Sequence, residues 1–160
     1  MKYEIIQYNE SYKEQLINFI LSIQQNEFNI AIDRADQPDL EDIESNYLSS
    51  GGQFWMALSE DNEIVGCVGL VRLANNNSAL KKMFVNSNMK NLKIGKKLLN
   101  KVVDTALNHN IEHIYLGTID KFISAQHFYS NNGFKEIEQS ALPPDFPKMD
   151  VDNRFYYRTI

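Results

Sequence analysis

The chain has 160 residues, 43% of them hydrophobic and 23% charged, with 16 Lys and Arg against 21 Asp and Glu and a net charge of -5. A chain of this size buries roughly 70% of its unfolded surface, so a core is available and a collagen or a disordered tail is excluded. No apolar run approaches the roughly 20 residues needed to cross a bilayer, and MKYEIIQYNE carries acids where a secretory signal has its apolar core, so a cytoplasmic protein with no membrane partner is expected.

Tyr3 to Tyr8 reads as a strand. Tyr12, Leu16, Phe19, Ile20 and Ile23 then recur at intervals of three and four, which predicts a helix. Asn26 to Ser50 is polar and acidic, with the turn-like Asp36-Gln37-Pro38-Asp39 and a short helical pattern through Leu40, Ile43 and Tyr47; a loop with one or two short helices is expected. After Gly51-Gly52, the segments Phe54 to Leu58, Ile64 to Leu73 and Ala79 to Val85 read as three strands whose short polar connections predict an antiparallel meander. From Ile94 the period changes: Ile94, Leu98, Val102 and Ala106 fall four apart, with Leu99 and Val103 widening the face, a clear amphipathic helix. Ile111 to Gly117 reads as a strand, Ser124 to Asn131 as a helix stopped by Asn131-Asn132-Gly133, and Phe134 to Glu138 as another strand. Pro143, Pro144 and Pro147 make residues 141 to 150 an extended loop before a last strand around Arg154 to Thr159. No repeat or boundary is visible, and residues 1 to 160 are expected to form a single domain.

Charge is distributed unevenly. Residues 1 to 63 hold 3 basic and 13 acidic side chains, and residues 104 to 160 hold 5 and 8; residues 64 to 103 carry 8 basic side chains and no acid. An anion is drawn to such a segment. Its lysines surround the loop Asn86 to Lys93 and the start of the following helix, where free backbone N–H groups suit phosphate. Neither G-x-x-x-x-G-K nor G-x-G-x-x-G is present, so it is not a P-loop or a dinucleotide fingerprint.

Two motifs resemble those of the GNAT N-acetyltransferase superfamily. The first is the family's acetyl-CoA motif, a strand followed by Q/R-x-x-G-x-G/A opening a helix. Here it reads Leu80-Lys81-Lys82-Met83-Phe84-Val85, then Lys90-Asn91-Leu92-Lys93-Ile94-Gly95-Lys96-Lys97-Leu98-Leu99. The second, A-x-x-F-Y-x-x-x-G-F, stands intact from Ala125 to Phe134, with Phe128-Tyr129 at its centre. The resemblance implies an α/β fold with a mixed, mostly antiparallel sheet of about six to seven strands flanked by about four helices. It implies acetyl-CoA as acyl donor, held by Met83, Phe84, Val85, Lys90, Asn91, Leu92, Lys93, Ile94, Gly95 and Lys96, with no metal. Tyr129 would give the departing thiolate its proton, and a backbone N–H of Phe84 or Val85 would hold the oxyanion. Relatives are often dimers, so a homodimer is possible.

This sequence departs from the pattern at four places. Lys90 stands at the Q/R position. Lys93 stands at the first motif glycine, where a side chain narrows the loop if the backbone needs a positive φ. Phe122 replaces an asparagine seven residues before the tyrosine. Ala79 stands where many relatives carry a glutamate, which leaves Glu27, Asp33, Asp36 or a water chain as the general base. The acids of residues 27 to 44 suggest a small acceptor that is a cation before it reacts. Cys67, between Val65 and Val68 in a strand, reads as a buried inert thiol, so direct transfer without an acyl-enzyme is expected. His109, His113 and His127 lack metal-ligand spacing and read as surface or packing residues. The alternative from another class is a non-catalytic CoA-metabolite sensor or an anion- or nucleic-acid-binding module; nucleic acid is disfavoured by the net charge and by the lack of a strand face mixing aromatic and basic residues.

Overall fold

The computed structural model describes residues 2 to 160, with Lys90 and Asn91 described by their backbone alone. β1 (Tyr3–Gln7) leads into α1 (Lys13–Leu21), which continues as a π-helical turn, Ser22–Glu27. The acidic segment after it contains two 3-10 turns, Arg34–Asp36 and Pro38–Glu41, and the π-helical Glu44–Leu48, one more short helix than the sequence suggests. The extra turn has a local cause: Asp33 and Asp36 cap one another's backbone N–H groups, a reciprocal box that closes Arg34–Asp36 before Pro38 opens the next turn.

β2 (Gln53–Ser59), β3 (Ile64–Arg72) and β4 (Asn77–Val85) form the expected antiparallel meander with β1. α2 (Ile94–Asn108) crosses over to β5 (His113–Thr118), which lies parallel to β4. α3 (Ile123–Asn131), β6 (Lys135–Ile137) and β7 (Arg154–Thr159) complete the chain. The seven strands are ordered β1-β2-β3-β4-β5-β7-β6, so the last strand inserts between its two predecessors. β6 starts one residue later than its pattern suggests, because the Phe134 N–H turns back to the Tyr129 carbonyl at 3.1 Å and, with Gly133 at φ 87°, finishes α3.

The period-two alternation of β2 divides the core. Trp55 and Ala57 face α2, where they pack with Val65, Val68, Leu98, Leu99 and Val102. Phe54, Met56 and Leu58 face the opposite side and pack with Leu16, Ile17 and Ile20 of α1 and with Leu40, Ile43 and Tyr47. Trp55 and Phe54 are therefore both core residues, on opposite faces.

Two irregularities in β4 reshape the centre of the sheet. The register with β3 shifts between Cys67 and Gly69, so Lys82 and Met83 together oppose Val68, and Lys82 takes a left-handed φ of 54°. Such a bulge bends its strand. β4 and β5 pair only from Asn77 to Ala79 and from His113 to Tyr115; beyond those rungs β4 stays with β3 to Val85 while β5 stays with β7 to Thr118. The sheet opens there.

Gly69 lies beside the bulge, and a Cβ on it would come within 2.6 Å of Tyr47 Cε1 and 2.8 Å of the Phe54 ring, both buried. Gly69→Ala is expected to lower the unfolding free energy by about 1–3 kcal/mol through overpacking. Urea titration with an unchanged m value checks it.

Candidate active site

The wedge between the parted strands is a cavity of about 470 Å³. Leu80 to Val85 of β4 form one wall and Gly117 and Thr118 of β5 the other; α2 and α3 close one end, and the α1 extension and the loop before β7 close the opposite end.

At the first end, Lys93 is the N-cap of α2 with φ 57° and ψ 30°. The backbone there does adopt the left-handed conformation that favours glycine, at a cost of roughly 1–2 kcal/mol for a residue with a Cβ. The turn leaves the opening N–H groups of α2 directed into the loop, with no acid in the first turn to engage them. Gly95 lines the cavity, and a Cβ on it would meet Phe128 at 3.6 Å and Val85 at 3.7 Å, ordinary contacts. Packing alone does not demand glycine at this position. Its absent side chain leaves room for a ligand to approach the helix backbone closely, which fits the pyrophosphate end of a nucleotide thioester.

Of the residues singled out from the sequence, Met83, Phe84, Val85, Lys93, Gly95 and Lys96 line the cavity. Lys96 Nζ also donates to Asn132 Oδ1 at 2.6 Å. Two others do not line it. Ile94 is fully buried and fastens α2 to the sheet, and the Leu92 carbonyl accepts from the Tyr3 hydroxyl at 2.7 Å. The expectations for the Lys90 and Asn91 side chains lie outside the described residues.

Tyr129 is buried among Phe128, Phe134 and Tyr156 and lines the cavity. Burial, then the Asp152 charge, raises the phenol above its ordinary pKa and keeps it protonated, so it is able to donate. Phe122 lines the cavity too, edge-on to Phe28 at 4.6 Å and to Phe84 at 6.1 Å, bridging the α1 extension, β4 and the start of α3.

The acids of residues 27 to 44 are mostly occupied elsewhere. Arg34 engages both Glu14 and Glu41, Asp33 and Asp36 cap each other, and Asp42 accepts from Ser45. Glu27 alone of that set lines the cavity, so Asp33 and Asp36 do not reach it as bases. Cys67 is fully buried, donates to the Lys82 carbonyl at 3.1 Å and is pushed up to about 12 by burial, an inert thiol. His109 and His127 are exposed, and His113 is half-buried beside Thr159.

The sequence profile of the acetyltransferase (GNAT) family matches residues 17–134, most of the chain. The chain belongs to the GNAT acetyltransferase family. A solved GNAT-family acetyltransferase from Staphylococcus aureus Mu50 is 69% identical, with 99% of each chain covered and a TM-score of 0.97. N-acetylaspartate synthetase of Danio rerio is 31% identical over 117 residues, 70% of this chain and 41% of that protein, so this chain spans about two fifths of that relative's length. Neighbours in the fold bind coenzyme A: the PaiA N-acetyltransferase of Thermoplasma acidophilum, solved in complex with it, is 18% identical with a TM-score of 0.78 over 100% of each chain. Among the described residues, no cluster of His, Cys, Asp and Glu is arranged to hold a metal ion, and no helix is long and apolar enough to cross a membrane.

This GNAT chain has a feature at the second end of the cavity that sequence reasoning passed over. Lys82 is 6% exposed; its Nζ donates to Gln37 Oε1 at 2.6 Å and to Met149 Sδ at 3.3 Å, and lies 3.7 Å from Asp39 Oδ1. Asp39 also accepts from the Tyr47 hydroxyl at 2.6 Å, and Gln37 exchanges two amide hydrogen bonds with Gln24. One lysine thus ties the loop after α1 to the loop before β7. The signal was present: two consecutive lysines in a central strand cannot both face solvent, because neighbours point to opposite faces.

Burial lowers the Lys82 pKa to about 8, against the opposing pull of Asp39. Between about pH 8 and the ordinary lysine value near 10.4 the unfolded chain holds a proton there that the folded chain has lost, so stability from this group rises with pH. Thermal unfolding across that window is expected to show the wild type gaining on Lys82→Met as pH rises. A constant difference would refute it.

Proposed function

We propose that this chain is an acetyl-CoA-dependent N-acetyltransferase that moves an acetyl group directly onto the amine of a small acceptor. The observation that carries the reading is the β4–β5 wedge: a helix start with no side-chain cap among the described residues, together with lysines, stands at one end, a protonated buried tyrosine lines the cavity, and space for an acceptor remains at the other end. Family membership supports the same chemistry.

In this reading the pyrophosphate of the donor sits against the backbone of Lys93 to Lys96, with Lys93 and Lys96 supplying positive charge. The thioester arm runs between β4 and β5 toward the bulge. The end of β4 offers the Val85 backbone N–H to the carbonyl oxygen as charge develops on it, since the Phe84 N–H is turned toward Cys67 of β3. Tyr129 protonates the departing sulfur. Phe28, Phe122 and Phe84 keep water from the reacting atoms, and Phe122 replaces a polar contact to the donor's arm with an apolar one. Cys67 takes no part, which supports direct transfer.

The acceptor is a small amine that enters as its ammonium. Ile23, Ile30, Ile32, Phe146 and Val151 give its end of the cavity an apolar surface, and the charged groups there are Glu27, Lys81, Lys82 and Asp152. An amine with an apolar body and one or two polar groups fits this lining. The name of the zebrafish relative points to amino acids as a class to include.

The first test is thermal unfolding with acetyl-CoA against a matched concentration of an unrelated nucleotide. A ligand bound only by the folded state adds about 2.7 kcal/mol at a hundred times its dissociation constant. A selective rise in Tm is expected, and no rise would count against the donor site. Tyr129→Phe is expected to keep that rise while lowering turnover by about 10²-fold or more, read as thiol release; unchanged turnover would remove Tyr129 from the mechanism.

A further inference from the structure

The acid half of the chemistry has a candidate in Tyr129; for the base half Ala79 supplies no carboxylate, and Glu27 is the one acid of residues 27 to 44 that lines the cavity. We propose that Asp152, on the loop before β7, receives the acceptor's ammonium and removes its proton. The inference rests on the acetyltransferase reading.

The position is built by the fold. The Asn153 N–H donates to the Thr118 carbonyl at 2.9 Å, which fixes the loop to the free end of β5, and the Asp152 N–H donates to the Met149 carbonyl at 3.0 Å. In return Asp152 Oδ2 accepts from the Met149 N–H at 3.1 Å. The turn holds the carboxylate over Gly117: a Cβ on Gly117 would lie 2.6 Å from Oδ2 and 3.0 Å from Cγ, so the carboxylate needs glycine beneath it. Both residues line the cavity with Tyr129. Among the described residues, Oδ1 has no hydrogen-bond partner and no cation lies within ion-pair distance of either oxygen. The carboxylate is thus oriented through one oxygen and free to act through the other.

The surrounding groups give it a base's character. Burial raises its pKa above the ordinary aspartate range; the Met149 N–H, Lys81 and Lys82 from β4, and Lys148 from its own loop pull it back down. Its charge in turn raises the Tyr129 phenol on α3. A carboxyl and a protonated phenol thus share one cavity, each with its pKa raised by burial.

The step balances. The ammonium gives one proton to Asp152, and the freed lone pair on nitrogen bonds to the acetyl carbon as the carbon–sulfur bond breaks. The sulfur leaves with that electron pair and takes the Tyr129 proton; the surplus proton on the new amide nitrogen restores the phenol, and Asp152 releases its proton to solvent.

The experiment uses the whole chain with acetyl-CoA and the twenty protein amino acids, ethylamine and spermidine as acceptors, read by thiol release. On the best acceptor, Asp152→Asn is expected to lower kcat by about 10²–10⁴-fold and to abolish an acid limb in kcat/KM that lies above the ordinary carboxylate range. It should keep the Tm rise with acetyl-CoA. Without ligand, its Tm at pH 7 should exceed the wild type's: a carboxyl whose folded pKa is raised loses stability as pH climbs through that value, and asparagine escapes the loss. Gly117→Ala, which displaces the carboxylate without removing it, is expected to lower kcat by at least tenfold. If the wild type transfers acetyl and Asp152→Asn stays within threefold with the same acid limb, Asp152 is not the base and the acetyltransferase reading stands. Loss of the acetyl-CoA shift in Asp152→Asn would also overturn the assignment, since the residue would then be shaping the donor site. Transfer to none of these amines by a wild type that binds acetyl-CoA would refute both readings.

Discussion

The parting of β4 from β5 after three rungs is the constraint on which the rest of the structure depends. Two parallel strands that remain paired bury their edges in each other; here β4 keeps its partner β3 and β5 keeps its partner β7, so each backbone stays in a ladder while the space between them opens. The bulge at Lys82 and Met83 bends β4 away. Because β7 inserts between β5 and β6, the loop that precedes it is delivered to the open end of β5, where Asn153 fastens it to Thr118. The cavity is therefore a property of the sheet, with loops only closing it.

Charge is placed by the same opening. Lys81, Lys82, Lys93 and Lys96 line the cavity, whereas Lys97 lies 5.2 Å over the Tyr3 ring and Lys101 faces solvent. The basic segment is thus divided between the cavity and the outer surface. Lys82 is buried and Asp152 half-buried, and each has its pKa moved toward the neutral form by desolvation. Lys93 holds a left-handed backbone that glycine would hold with less strain. Such local costs gathered around one cavity are characteristic of a site selected for chemistry over stability.

The hydrophobic periods were legible in the sequence because each surviving element has one strongly apolar face: Ile94, Leu98, Val102 and Ala106 line the buried side of α2, and alternation sends Trp55 and Phe54 to opposite faces of β2. The two family motifs were legible because they are contiguous. Met83 to Val85, Lys93, Gly95, Lys96 and Tyr129 all reach the cavity from those short stretches. Ile94 and Leu92 belong to the same stretch and do not, since a helix turns successive side chains 100° apart and directs some into the core.

The acids misled for the converse reason. Charge composition counts Asp33, Asp36 and Asp42 alongside Glu27, yet whether a carboxylate caps a turn or lines a cavity depends on partners distant in space. Asp152 carries no local signal, since its meaning comes from Gly117 on a neighbouring strand and Tyr129 on a helix. What the sequence determined by itself was the main strands and helices, the apolar faces and the two family motifs, because those arise from periodicity and from contiguous residues. Tertiary structure alone decided the insertion of β7, the opening between β4 and β5, the burial of Lys82 and the placing of Asp152 over Gly117, because strand partners and desolvation are set by residues that meet only when the chain is folded.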